Sequence, residues 1–291
     1  MPIYSALSSW VNVKPPLRRM RRRRFRAPRR ALRAFWAWPL GIRIGISVLV
    51  LLALSFAVNW AYQVVRKPAE LFFPVSGALS KTPAKTWHRY EPIFRRYSTA
   101  TITPEFLAAL AQVEGAGNPV ARTYWRWRLT TEPFKVYRPA SSAVGMYQMT
   151  DAMYGEAKRY CIRDHAVVED GAWNDLGSCW FNSLYLRVVP SHAVEMTSAF
   201  LDRRVADTLA RHSIASATVQ QKQNLAAVIH LCGAAAGDAY AKRNFRVAAG
   251  QRCGDHEVSR YVARVNDMKR VFARLANDRW RPQAPTSFPE L

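Results

Sequence analysis

No aspartate or glutamate occurs before Glu70, although the chain holds 20 acidic residues in 291. The first 43 residues carry 12 positive charges, Lys14 and eleven arginines, which leaves 23 − 12 = +11 for the rest. Such a tail has no internal counter-charge, so it meets an anionic partner or stays solvated. The run MRRRRFRAPRR (residues 20–30) fits nucleic acid as that partner, and it also fits anionic membrane lipid.

The neighbouring segment favours lipid. Charge of either sign is absent from residues 44–65, IGISVLVLLALSFAVNWAYQVV. A helix of that length spans about 33 Å, enough to cross the hydrocarbon core of a bilayer. Trp36 and Trp38 precede it and Trp60 and Tyr62 lie in its last turns, as interface anchors do, while Ser47, Ser55, Asn59 and Gln63 are its polar exceptions. The charged region is too long for a secretory leader, and no small-x-small site succeeds the apolar stretch. The expectation is one uncleaved transmembrane helix, with the Arg-rich tail of residues 1–43 in the cytoplasm against anionic lipids. Everything after Arg66 then lies on the far side.

Cysteine is scarce, with Cys161, Cys179, Cys232 and Cys253 all after the apolar stretch, where disulfides persist. No CxxC or HxxxH spacing marks a zinc site. Four cysteines allow three pairings. The sequence-local set, Cys161–Cys179 with Cys232–Cys253, closes two modest loops, and buried free thiols are the alternative. Alternating strand patterns are also nearly missing, beyond TYWRWRLTT and FKVYR, and no internal repeat is visible. The chain is therefore expected to be mainly α, with at most a small β-hairpin.

Helical spacing is what remains. Residues 66–98 contain prolines and no sustained period and read as a stalk, with WHRYEPIFRRY available to pack on the next domain. A domain is expected over residues 99–280. It begins with Thr103 as N-cap and Pro104 at the first helical position. Phe106, Leu107, Leu110, Ala111 and Val113 then form an apolar stripe, and Gly115 and Gly117 form a stop. Further helices are predicted over 151–160, 192–210, 219–231 and 258–276, and residues 281–291 read as a loose proline-rich tail.

Leu107, Leu110, Ala111 and Glu114 keep the i, i+3, i+4, i+7 spacing, so a carboxylate shares the inward face of the first helix. Burial and the negative end of the helix dipole both disfavour charge there, as a general acid requires. The alternative is a salt bridge to Arg122 or Arg126.

Three further segments come in order: SSAVGMYQMTDAM (141–153), AAVIHLCGAAAG (226–237) and SRYVARV (259–265). Together with Glu114 this order resembles the SLT-type lytic transglycosylases, which share the goose-type lysozyme fold. The resemblance covers roughly residues 101–276. It implies a lysozyme-like helical catalytic domain that cleaves the β-1,4 bond between N-acetylmuramic acid and N-acetylglucosamine in peptidoglycan glycan strands, without a cofactor. It also implies a protein of the bacterial inner membrane with a periplasmic catalytic domain.

Carried over by position, Glu114 is the implied acid/base. Ser142, Gly145, Met146, Tyr147 and Gln148 form the implied cleft segment, and Tyr261 is the implied partner of the acid. Two departures stand out. Gly115 replaces the family's serine, and His230 and Leu231 replace the tyrosine and asparagine of its Ala-Tyr-Asn-Ala-Gly helix. His230 either takes over part of the substrate contact or is a core histidine. A hydrolase would need a second carboxylate, for which Glu132, Asp151, Asp170 and Asp175 are the candidates. A non-catalytic peptidoglycan-binding scaffold is the remaining alternative.

Overall fold

The computed structural model describes residues 35–72, 76–172, 174–175 and 177–278. The arginine run of residues 18–33 and the tail of residues 281–291 lie outside the described residues. The described chain is mainly helical with a few short strands, and it divides into two compact units between Ala57 and Val58.

Helix α1 (Leu40–Arg66) is long and apolar enough to cross a membrane, and its most apolar stretch is nowhere buried within the protein. It begins four residues before the expected span and ends one after it, taking in Arg43 and Arg66.

The second unit is built around α3 (Pro104–Gly115). Thr103 caps it by accepting from the Phe106 amide at 3.4 Å, and Pro104 opens it, as the sequence predicts. Phe106, Leu107, Ala108, Ala109, Leu110 and Ala111 are all buried, a face wider than the predicted stripe. A helix buried on most of its circumference needs neighbours on several sides. Helices α2 (Pro83–Arg96) and α8 (Val258–Asp278) pack directly on α3, and α5 (Pro190–Arg211) and α6 (Val219–Cys232) complete one core with them. The contact with α8 is the most extensive. Ala116 and not Gly115 turns the chain out of α3, in the left-handed region at φ 49°, succeeded by Gly117 at φ 64°.

Residues 66–98 are folded rather than a stalk, and WHRYEPIFRRY packs on the domain as the sequence allows. Thr82 caps α2, and Trp87, Tyr90 and Phe94 lie on one face at i, i+3 and i+7, buried in the common core. Before α2, Glu70 is fully buried. It is held by Lys67 at 3.2 Å, Arg122 at 2.9 Å and the Trp125 indole at 2.9 Å. These residues belong to the domain.

The predicted hairpin is present. Strand β1 (Trp125–Trp127) pairs antiparallel with β2 (Tyr137–Pro139), with Trp127 opposite Tyr137. A second hairpin, β3 (Tyr160–Arg163) with β4 (Ala166–Glu169), occupies the end of the predicted helix 151–160, which as α4 stops at Ala157. Its two-residue turn places both Asp164 and His165 at positive φ, the geometry of a tight right-twisted hairpin. A further short helix, α7 (Ala234–Lys242), starts after Gly233, and a small hairpin of β5 (Arg252–Cys253) and β6 (His256–Glu257) leads into α8. The disulfides are Cys161–Cys179 and Cys232–Cys253, the sequence-local set.

Candidate active site

Glu114 stands in the last turn of α3, with its side chain 16 % exposed. Two helices from distant parts of the chain converge on it. From the first turn of α8, the Tyr261 hydroxyl donates to Oε1. From the last turn of α6, His230 places Nε2 3.8 Å from the same oxygen, with its ring 4 % exposed. Burial, and then the negative charge of Glu114, push the Tyr261 phenol well above its ordinary value of 10.0. It stays neutral and keeps a proton to donate.

Among the described residues, Oε2 of Glu114 accepts no hydrogen bond and neither oxygen pairs with lysine or arginine. Arg122 pairs with Glu70 instead. One carboxylate oxygen is thus oriented by Tyr261 and the other is uncommitted among the described residues.

The segment expected to line the cleft is placed unevenly. Gly145 adopts φ 81°, and a Cβ there would meet the Arg187 carbonyl at 2.6 Å, so only glycine fits. Gln148, also at positive φ, donates its amide to the carbonyls of Ala121 at 3.1 Å and Gly145 at 2.9 Å. Its nitrogen therefore holds the loop, while the side chain lines the cleft.

Ser142 accepts the Asp151 amide at 3.1 Å at the start of α4, which Thr150 caps, and its carbonyl accepts from Arg187. Met146 and Tyr147 are fully buried, so their side chains are core and offer a substrate no surface. The backbone of Met146 instead packs on α3. A Cβ on Gly115 would lie 2.9 Å from its Cα and carbonyl oxygen. That approach explains why glycine stands where the resembled family has serine.

A cleft of about 310 Å³ is lined by Gln148, Met153, Glu156, Arg204, His230 and Leu231 among others; Glu114 and Tyr261 are not in its lining, and His230 is the residue that links it to the carboxylate. Glu156 and Arg204 form an ion pair there, about one quarter exposed on each side. The sequence pattern points to neither. Glu156 lies on a short helix with no diagnostic neighbours, and only the packing of α4 on α5 brings Arg204 to it.

The four carboxylates considered from sequence are engaged elsewhere. Glu132 pairs with Lys135 at 2.7 Å and Asp151 with Arg187 at 2.9 Å. Asp170 and Asp175 accept local amides of Gly171 and Gly177 at 3.0 and 2.8 Å.

A larger cavity of about 540 Å³ lies between Arg96, Arg163, His165, Tyr185 and Glu195. Its buried carboxylate is spent on the fold, because Glu195 accepts from the Ile162 amide at 3.1 Å and the Tyr185 hydroxyl at 2.9 Å. The smaller cleft therefore carries the better candidate chemistry. Among the described residues no group of three or more His, Cys, Asp or Glu side chains is placed to hold a metal ion. No model of a protein family matches the chain, and no curated protein sequence matches it.

Proposed function

We propose that the chain is a peptidoglycan lytic transglycosylase, held at the bacterial inner membrane by α1 with a lysozyme-like domain in the periplasm. The observation that carries this reading is the Tyr261–Glu114 pair, which orients one carboxylate oxygen and leaves the other uncommitted. Glu114 would first protonate the oxygen between N-acetylmuramic acid and N-acetylglucosamine as the C1–O bond breaks and an oxocarbenium-like centre forms. The same carboxylate would then take the proton of the muramoyl C6 hydroxyl while its oxygen closes on C1. The products are a 1,6-anhydro ring and a free 4-hydroxyl, with no water consumed.

One carboxylate suffices because the nucleophile is part of the substrate and needs no second group to hold it. Hydrolases of this type instead use a carboxylate pair. The disulfides fit an oxidising compartment, and the positive balance beyond the tail suits a substrate rich in peptide carboxylates.

Glu156 favours a second reading. It lines the cleft with His230, so a hydrolase would result if Arg204 released it to hold a water. A binding scaffold remains the non-catalytic alternative.

Digestion of purified sacculi by the detergent-solubilised chain, with products read by mass spectrometry beside Glu114→Gln, tests all three. Anhydro-muropeptides from the wild type alone support the transglycosylase. Products heavier by one water move the assignment to the hydrolase and to Glu156. Binding without products from either protein leaves the scaffold.

A further inference from the structure

Asn59 and Gln63 interrupt the apolar face of the last turns of α1, and each sends its amide to another part of the chain. Asn59 Nδ2 donates to the carbonyl of Tyr137 at 2.8 Å, and Gln63 Nε2 to the carbonyl of Phe134 at 2.7 Å. Between them Tyr62 stacks on Phe134, with ring centroids 4.6 Å apart. Residues 58–66 therefore grip the hairpin of β1 and β2 through its backbone. Asn59 precedes Arg66 by seven residues, about 10 Å of helix rise. The hairpin is thus pinned on the apolar side of the polar end of α1. The interfacial layer of a bilayer is only about 5–8 Å deep on each face.

The surface of this hairpin matches that position. Trp127 is 69 % exposed and Leu129 wholly so, with Tyr124 also outward. Arg126 and Arg128 alternate with them and are exposed as well. Trp127 stacks on Tyr137 at 4.5 Å and is thereby held with its outer face bare. Aromatic residues settle at the headgroup level of a bilayer, and arginines beside them are drawn to anionic lipid.

We infer that the hairpin is a second membrane contact, distinct from the Arg-rich tail and on the opposite leaflet. Trp127 and Leu129 enter the headgroup layer of the bilayer that α1 crosses, while Arg126 and Arg128 meet its anionic phosphates. The inference rests on α1 spanning the membrane and is independent of what Glu114 does.

Nitroxide accessibility tests it with the full chain in phosphatidylcholine vesicles with and without one-third phosphatidylglycerol. Labels go on Leu129→Cys, on Leu52→Cys as the lipid reference and on Ala215→Cys as the water reference, the native cysteines being disulfide-bonded. The expected result is that the Leu129 label in anionic vesicles meets oxygen in preference to a soluble nickel complex, as the Leu52 label does. Arg126→Ser with Arg128→Ser should lower the lipid-to-water ratio at Leu129 by about thirtyfold.

A Leu129 label as wet as that of Ala215, with Leu52 in lipid, overturns the contact and leaves the anchor standing. A Leu129 label shielded from both reagents overturns it in favour of a protein partner. A wet Leu52 label overturns the anchor and the contact together.

Discussion

The phenol of Tyr261 donates to Oε1 of Glu114 and so ties the first turn of α8 to the last turn of α3, across 147 positions of sequence. Burial keeps that phenol neutral, and the bond holds the carboxylate without bringing a compensating charge. Tyr261→Phe keeps the packing and deletes the donor. A hydrogen bond to a charged group is worth about 1.5–3 kcal/mol, so kcat/KM on sacculi should fall roughly 10- to 100-fold. The same bond supports the fold, so Tm should also fall by several degrees, and activity is compared well below the melting range.

Gly115→Ser introduces the residue that the resembled family carries there and should do harm. Its Cβ would meet backbone of Met146 at 2.9 Å, and backbone cannot swing aside as a flexible side chain can. Overpacking of this kind costs about 1–3 kcal/mol. Calorimetry should show a lower Tm, and the digest should show reduced turnover in place of a gain.

The two disulfides should separate on removal. Cys232 comes two residues after His230 at the end of α6, and Cys253 lies in β5, just ahead of α8 and Tyr261. Cys232→Ala with Cys253→Ala should cost about 3 kcal/mol of stability and also reduce activity below the melting range. Cys161→Ala with Cys179→Ala, at the other cavity, should cost a similar amount and spare turnover of the folded protein.

Asp202 offers a test by pH. Burial raises its carboxyl above the ordinary value of 3.8, against the opposing hydrogen bonds of Thr101 and Thr99. The native state then holds this proton more tightly than the unfolded chain. Its contribution is present below about pH 3.8, is lost as pH rises through the raised folded value, and stays lost above it. Asp202→Asn should therefore raise Tm relative to the parent more at pH 7 than at pH 3, measured by calorimetry at both.

Several of these features are legible in the residues themselves. Thr103 and Pro104 mark the start of α3, and the spacing from Leu107 to Glu114 turns the carboxylate inward. The Trp and Tyr alternation of residues 123–138 marks the first hairpin. Helix α2 is hidden because Pro92 and a high content of basic residues mask the spacing of Trp87, Tyr90 and Phe94.

Motif order places Met146 and Tyr147 beside the acid, but order along a chain does not say which way a side chain faces, and both face the core. The β3–β4 turn uses Asp164 and His165 where Asn-Gly is the stronger signal, so the hairpin goes unmarked after the helix predicted over 151–160. Glu156 and Arg204 meet only through the packing of α4 on α5, which no local pattern encodes.

Lys67 and Glu70 are built into the domain at the place where the sequence promises a tether. A free chain of 33 residues would let a catalytic body roam over about 30 Å. Here the polypeptide passes from α1 into folded structure within a few residues, and that freedom is missing. On the anchored reading, the radius within which such an enzyme can work is set by its own dimensions. If it also has the proposed activity, it would trim only the glycan strands that hang closest to the membrane, and it would move along the wall only as fast as its anchor diffuses in the lipid.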